Sequence, residues 1–157
     1  MSLIYLLNWG ITLGEGQERS GAETMRLTLH TDFALRVLIQ AGLNDGKLTR
    51  IKDIAQTFDI SEAHLMKVVN DLSQKGYLDT VRGRNGGIRL TREPRDINIG
   101  QVVRDTEHEF GVIGRKGYCP IVLRGALRNA TGAFLAVLDA LTLADLIEPQ
   151  QVLSSLL

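Results

Sequence analysis

Thr49-Arg-Ile-Lys-Asp-Ile-Ala-Gln-Thr-Phe-Asp-Ile-Ser-Glu-Ala-His-Leu-Met-Lys-Val-Val-Asn-Asp-Leu-Ser-Gln-Lys-Gly76 runs straight into Tyr77-Leu-Asp-Thr-Val-Arg-Gly-Arg-Asn-Gly-Gly-Ile-Arg-Leu90, and the change of period between the two halves decides the fold. Ile51, Ile54, Ala55 and Phe58 recur at the i, i+3, i+4, i+7 spacing of one helix face, with Thr49 as the expected N-cap. Asp59-Ile60 turns the chain into Ser61, a second N-cap, and Leu65, Val68, Val69 and Leu72 repeat the pattern until Gly76 supplies a stop. The outer face of this second helix carries Glu62, His64, Lys67, Asn70, Asp71 and Gln74. From Tyr77 the apolar residues alternate, as a strand requires, and Asn85-Gly86-Gly87 is expected to take the positive φ values of a tight hairpin.

Two helices at a tight turn followed by a basic hairpin read as a winged helix-turn-helix, mainly α, whose expected partner is duplex DNA. Ser61, Glu62, His64 and Lys67 lie where a recognition helix meets base edges. Between Arg82 and Arg95, five arginines (Arg82, Arg84, Arg89, Arg92 and Arg95) face only Glu93, a local excess of four positive charges. The chain as a whole balances 18 basic against 18 acidic residues, so the excess is concentrated where a wing touches phosphates or enters a minor groove. Arg82, Arg84 and Asn85 are the candidate wing contacts. A glycine-rich loop can also cradle a nucleotide phosphate, but that chemistry needs the loop to open a helix, and here it opens a strand.

Working outward, Thr31 is expected to cap a helix through about Leu43, with Phe33, Val37, Leu38 and Ala41 inward and Asn44-Asp45-Gly46 as its stop. Pro94 breaks the chain after the wing, Ile99 to Asp105 forms a short helix carrying Val102 and Val103, and Glu107 to Gly117 reads as a loop. A long helix from about Ile121 to Ala140 places Leu127, Thr131, Phe134, Leu138 and Leu141 four, three, four and three residues apart, a seam suited to another helix. Such a seam can pack within its own subunit. A winged-helix core has little room for so long a helix, so an intersubunit seam and a homodimer are expected. The division that follows is an N-terminal extension over 1–24, a DNA-binding domain over 25–96, an effector loop and dimerisation helix over 97–147, and a tail over 148–157. The extension lacks the basic start and cleavage site of a signal peptide, and reads as disordered or as an upstream choice of start codon.

Size and composition fit one soluble domain with its own core, and no stretch was expected to be long enough to span a membrane. The single cysteine, Cys119, excludes an intrachain disulfide framework and suits a reducing cytoplasm.

Thr28-Leu-His-Thr-Asp-Phe-Ala-Leu-Arg36, Ser61-Glu-Ala-His-Leu-Met-Lys-Val-Val-Asn70, Val81-Arg-Gly-Arg-Asn-Gly-Gly-Ile-Arg-Leu90 and Thr142-Leu-Ala-Asp-Leu146 together resemble the winged-helix repressor family that includes NsrR and IscR, NsrR more closely. The likeness runs from Met25 onward. It implies a homodimeric cytoplasmic regulator of a pseudo-palindromic operator, in many members controlled by an iron–sulfur cluster held on three cysteines. It also matches Arg82 to the family's wing arginine, Cys119 to the middle cysteine of the cluster site, and Asp32 to an aspartate offered to the partner subunit's cluster. Gly114 stands where the first cysteine belongs, and the run from Cys119 to Leu127 is short by about one helical turn, where the third belongs. Each iron needs soft, charge-donating ligands, so one thiolate with Asp32 does not make a conventional site, and no cofactor is expected. Glu107, His108 and Glu109 could add oxygen and nitrogen ligands, but an acidic loop is more often simply solvated.

The expected function is therefore a DNA-binding repressor with a degenerate sensor region. The alternative is a cluster-binding repressor, responsive to nitric oxide or to iron–sulfur status, that uses an atypical ligand set. An enzyme would need a nucleophile with its base, a phosphate loop or paired carboxylates, and no such motif is present. A protein-binding adaptor would need an apolar patch on the recognition face, where this chain has His64, Lys67 and Asn70.

Overall fold

Helix α1 (Leu29–Leu43) opens a computed structural model that describes residues 27–44, 46–107 and 121–148. Its N-cap is Thr28, whose hydroxyl accepts the Thr31 N–H, so the expected cap lies one turn too late. Thr31 is instead fully buried and donates its hydroxyl to the Glu107 carboxylate at 3.0 Å. Val37, Leu38 and Ala41 are buried as expected and Phe33 is half-buried; of the expected stop, Asp45 lies outside the described residues.

Helices α2 (Ile51–Phe58) and α3 (Glu62–Gln74) form the helix-turn-helix. The turn between them depends on Asp59, which has a left-handed backbone (φ 53°), a conformation that aspartate tolerates better than most non-glycine residues. Ser61 caps α3 by accepting the His64 N–H at 3.3 Å. The helix ends with the Tyr77 N–H on the Leu72 carbonyl and the Gly76 N–H on the Ser73 carbonyl, a closure that requires the positive φ of Gly76.

The wing is an antiparallel pair, β1 (Leu78–Val81) and β2 (Gly87–Leu90), in the register Leu78 to Leu90 and Val81 to Gly87. Two expectations are corrected here. Thr49 does not cap α2, whose N-cap position is Arg50 with no side-chain bond. Thr49 instead exchanges two backbone hydrogen bonds with Ile88, at 2.8 and 2.9 Å, and adds a third rung beside β2. In the hairpin, the positive φ falls on Gly83 (112°), not on Asn85-Gly86-Gly87. Gly87 is required for another reason: a Cβ there would lie 2.6 Å from the Thr49 carbonyl oxygen.

After a 3-10 turn (Pro94–Asp96), α4 (Ile99–Thr106) is capped by Asn98, which accepts the Gln101 N–H. The Asn98 amide also donates to the carbonyls of Asp139 and Leu141, so one side chain starts α4 and fastens the end of the last long helix, α5 (Ile121–Asp139). Arg104 clamps Asp139 through two parallel bonds of 2.5 and 2.6 Å. Asp145 then reaches back to the start of a helical segment over 143–148, its carboxylate accepting both the N–H and the hydroxyl of Thr142 at 2.7 Å. This closing motif drives Leu143 and Ile147 into the same hydrophobic cluster as Leu38, Ile54, Leu65, Leu72, Ile88 and Val102. Full burial of each such side chain is worth about 1.5–3 kcal/mol.

Helix α5 differs from the others in having no buried residue. Leu135 and Leu138, with Leu141 just beyond, pack partly on the chain's own core, whereas Ile121, Val122 and Val137 are 84, 80 and 68% exposed. Its 19 residues are long and apolar enough, by length and composition alone, to cross a bilayer, so the expectation that no stretch reaches that length is corrected.

Candidate nucleic-acid interface

The apolar stripe of α3 turns Leu65, Val68, Val69 and Leu72 inward and leaves Ser61, Glu62, His64, Lys67 and Asn70 exposed on the opposite face. His64 is fixed by an edge-to-face contact with Phe33, 5.6 Å between ring centres. Asp71 belongs elsewhere. It pairs with Lys75 at 2.6 Å and with His30 at 2.9 Å, bracing α3 against α1 and withdrawing Asp71 and Lys75 from the reading face. Burial raises the Asp71 carboxyl, but the hydrogen bonds from Lys75 and His30 outweigh it and hold the group below its ordinary 3.8.

Among the five wing arginines the structure makes a division that charge counting could not. Arg89 pairs with Asp79 across the strands at 2.7 Å, and Arg92 lies over the Tyr77 ring at 5.1 Å while donating to the Gly76 carbonyl. Tyr77 is anchored in turn by its hydroxyl on Asp105; burial, then this bond, raises the phenol well above its usual range. Arg82 and Arg84, with Asn85, are exposed at the tip and have no ion-pair partner among the described residues. Arg95, exposed in the 3-10 turn after the wing, likewise has no ion-pair partner among the described residues, so the positive charge left for a ligand lies at the hairpin end and in that turn.

Between α3 and the wing opens a cleft of about 330 Å³ whose lining includes Arg50, Met66, Asn70, Ser73, Thr80 and Arg82. Arg50 and Met66 escaped the sequence reading. Met66 follows the buried Leu65 and so falls on the outer face, 60% exposed, which its apolar character disguised. Arg50 was hidden by the assignment of the α2 cap to Thr49.

Of the residues considered for a cluster or metal, the two described ones, Asp32 and Glu107, are engaged at different places in the fold. Asp32 is bonded to Arg36 at 2.9 Å, the next turn of its own helix. Glu107 is not a solvated loop residue. It is buried at the end of α4, where its carboxylate accepts the Thr28 N–H (2.8 Å), the Thr28 hydroxyl (3.1 Å) and the Thr31 hydroxyl (3.0 Å). His108, Glu109, Gly114 and Cys119 lie outside the described residues. Among the described residues no three of His, Cys, Asp or Glu are grouped to hold a metal, and the whole sequence offers a single thiol. That donor set does not fit a conventional iron–sulfur cluster. Of the seam residues, Leu127 and Phe134 are half-buried, and Leu138 and Leu141 share the core contact of α5 described above.

Comparison with known proteins places this geometry. The model of the Rrf2 family, described as iron-dependent transcriptional regulators, matches residues 27–149. The HTH-type transcriptional regulator NsrR of Bacillus subtilis is 48% identical over 142 residues, covering 85% of this chain and 97% of that protein. Among solved structures, CymR, the global cysteine regulator of B. subtilis, superposes with a TM-score of 0.67 at 28% identity over 80% of this chain and 98% of its own. IscR of T. potens does so with a TM-score of 0.66 at 26% identity over 83% and 91%.

Proposed function

The chain belongs to the Rrf2 family of transcriptional regulators, and from that premise we propose that it is a cytoplasmic, homodimeric repressor of the NsrR type that reads a pseudo-palindromic operator. One observation carries this reading: Asn70 of the exposed face of α3 and Arg82 of the wing line a single cleft, so helix and wing can engage one duplex together. Ser61, Glu62, His64 and Lys67 then address base edges in the major groove, while Arg82, Arg84 and Asn85 enter or flank the neighbouring minor groove. Selection of bound duplexes from a random pool, followed by salt titration on the recovered sequence, tests it. A two-fold-symmetric consensus with salt-dependent affinity is expected, and failure to enrich any sequence would overturn the reading.

The proposal extends to the sensor region: with one thiol per subunit, the protein holds no conventional iron–sulfur cluster and binds its operator without one. The description of its family as iron-dependent favours the opposite, a cluster on an atypical ligand set. Iron and sulfide assays on protein purified without oxygen separate the two. Little of either is expected, with Cys119→Ser leaving DNA affinity unchanged within about twofold, as for a small side chain that lies in sequence outside the helix-turn-helix and the wing. Stoichiometric iron and sulfide, lost on that substitution, would establish the atypical site.

A further inference from the structure

If α3 occupies a major groove and the wing the minor groove beside it, the sugar–phosphate strand that separates those grooves has to pass through the cleft between them. This inference rests on the DNA-binding reading above and deepens it. The cleft is suited to such an occupant. Its lining contains two arginines, Arg50 at the entry to α2 and Arg82 just after β1, together with the neutral donors Asn70, Ser73 and Thr80. Among the described residues no carboxylate lines it, in a chain with 18 acidic residues. Arg50 has an exposed side chain with no hydrogen bond or ion pair to another described residue, and it stands at the N-cap of α2, where no side chain caps the first turn. Its backbone is held by the Thr49 rung on Ile88, so the wing sheet itself fixes where the guanidinium starts.

We propose that the cleft is a channel for one DNA backbone strand and that Arg50 is its phosphate-positioning residue, opposing Arg82 across the strand. Phosphate contacts set the register of a protein on the duplex without reading sequence, so Arg50 contributes affinity to every duplex and little to the choice of operator.

Anisotropy titrations of a labelled mixed-sequence duplex over a series of KCl concentrations test this directly, because non-specific binding is governed by phosphate contacts and needs no known operator. Arg50→Ala should weaken binding and flatten the plot of log affinity against log salt by about 0.9 for each protomer engaged. Arg50→Lys should keep most of the slope, since a point charge still meets a phosphate. Lys52→Ala removes a neighbouring exposed charge that does not line the cleft and should leave the slope unchanged. Thermal unfolding of Arg50→Ala should match the parent chain, because the side chain contributes no described contact. An unchanged slope for Arg50→Ala beside a reduced one for Arg82→Ala would overturn the channel and leave the DNA-binding reading intact. An equal loss for Lys52→Ala would overturn it as well, by showing bulk charge at work. Absence of salt-dependent binding by the parent chain would overturn both.

Discussion

Arg82 is exposed beside Gly83, whose positive φ starts the hairpin turn, and nothing described in the chain uses its charge. Arg82→Ala should therefore leave the unfolding midpoint nearly unmoved, within the roughly 0.5 kcal/mol of ordinary surface substitutions, while weakening duplex binding by about 1–3 kcal/mol. Matched thermal melts and anisotropy titrations check the two halves; a variant that binds like the parent would remove Arg82 from the interface. Arg89 provides the contrast. Already bonded to Asp79, it has less to offer a phosphate, though a bare count of charges weighs both arginines alike. The difference is a cross-strand pairing, and it depends on a register that no count of charges contains.

Helix ends show the same division between what local chemistry specifies and what distant contacts decide. Ser61, Gly76 and the period of Leu65, Val68, Val69 and Leu72 fix α3 from within, and they were legible because every interaction involved lies within a few residues. Thr28 and Thr31 were not, because the partner that chooses between them is Glu107, 79 and 76 residues away. Glu107→Ala should cost about 1–3 kcal/mol in urea unfolding by leaving the Thr28 N–H and a buried hydroxyl short of an acceptor, and Glu107→Gln should cost less because it keeps one oxygen. Equal stability of Glu107→Ala and the parent would show that water replaces the carboxylate. The brace between α1 and α3 carries a pH signature. A carboxylate held below its ordinary value adds stability above the unfolded pKa and loses it as pH falls through the folded one, so the Asp71 contribution should fade on acidification below about pH 4. Asp71→Asn should be less stable than the parent at neutral pH, and the gap in melting temperature should close towards about pH 2. A gap that stays constant with pH would mean that the loss comes from packing and not from the charge.

The proposed pairing of subunits rests on α5, where the sequence and the fold give different weights to the same helix. The seam read from spacing included Leu138 and Leu141, and both press partly on the core of their own chain. A substitution at Leu138 therefore mixes folding with assembly: a buried unpaired charge there destabilises the subunit whether or not a partner is present. Val122 and Val137 separate the two effects. They lie fifteen residues apart on α5, about 60° apart around its axis, and are 80 and 68% exposed, so neither supports the core that the structure describes. Exposed Ile121, Val122, Leu123 and Val137 on one helix are unfavourable in water, and pairing α5 with its copy would remove that surface without requiring a new fold. If the parent chain sediments as the proposed dimer, Val122→Asp combined with Val137→Asp should give a folded monomer, with a far-ultraviolet spectrum like that of the parent chain and weakened binding to a two-half-site duplex. Like charges brought together across a two-fold seam oppose association directly. A dimer that survives both substitutions would move the interface away from this face of α5 and require another account of its exposed valines.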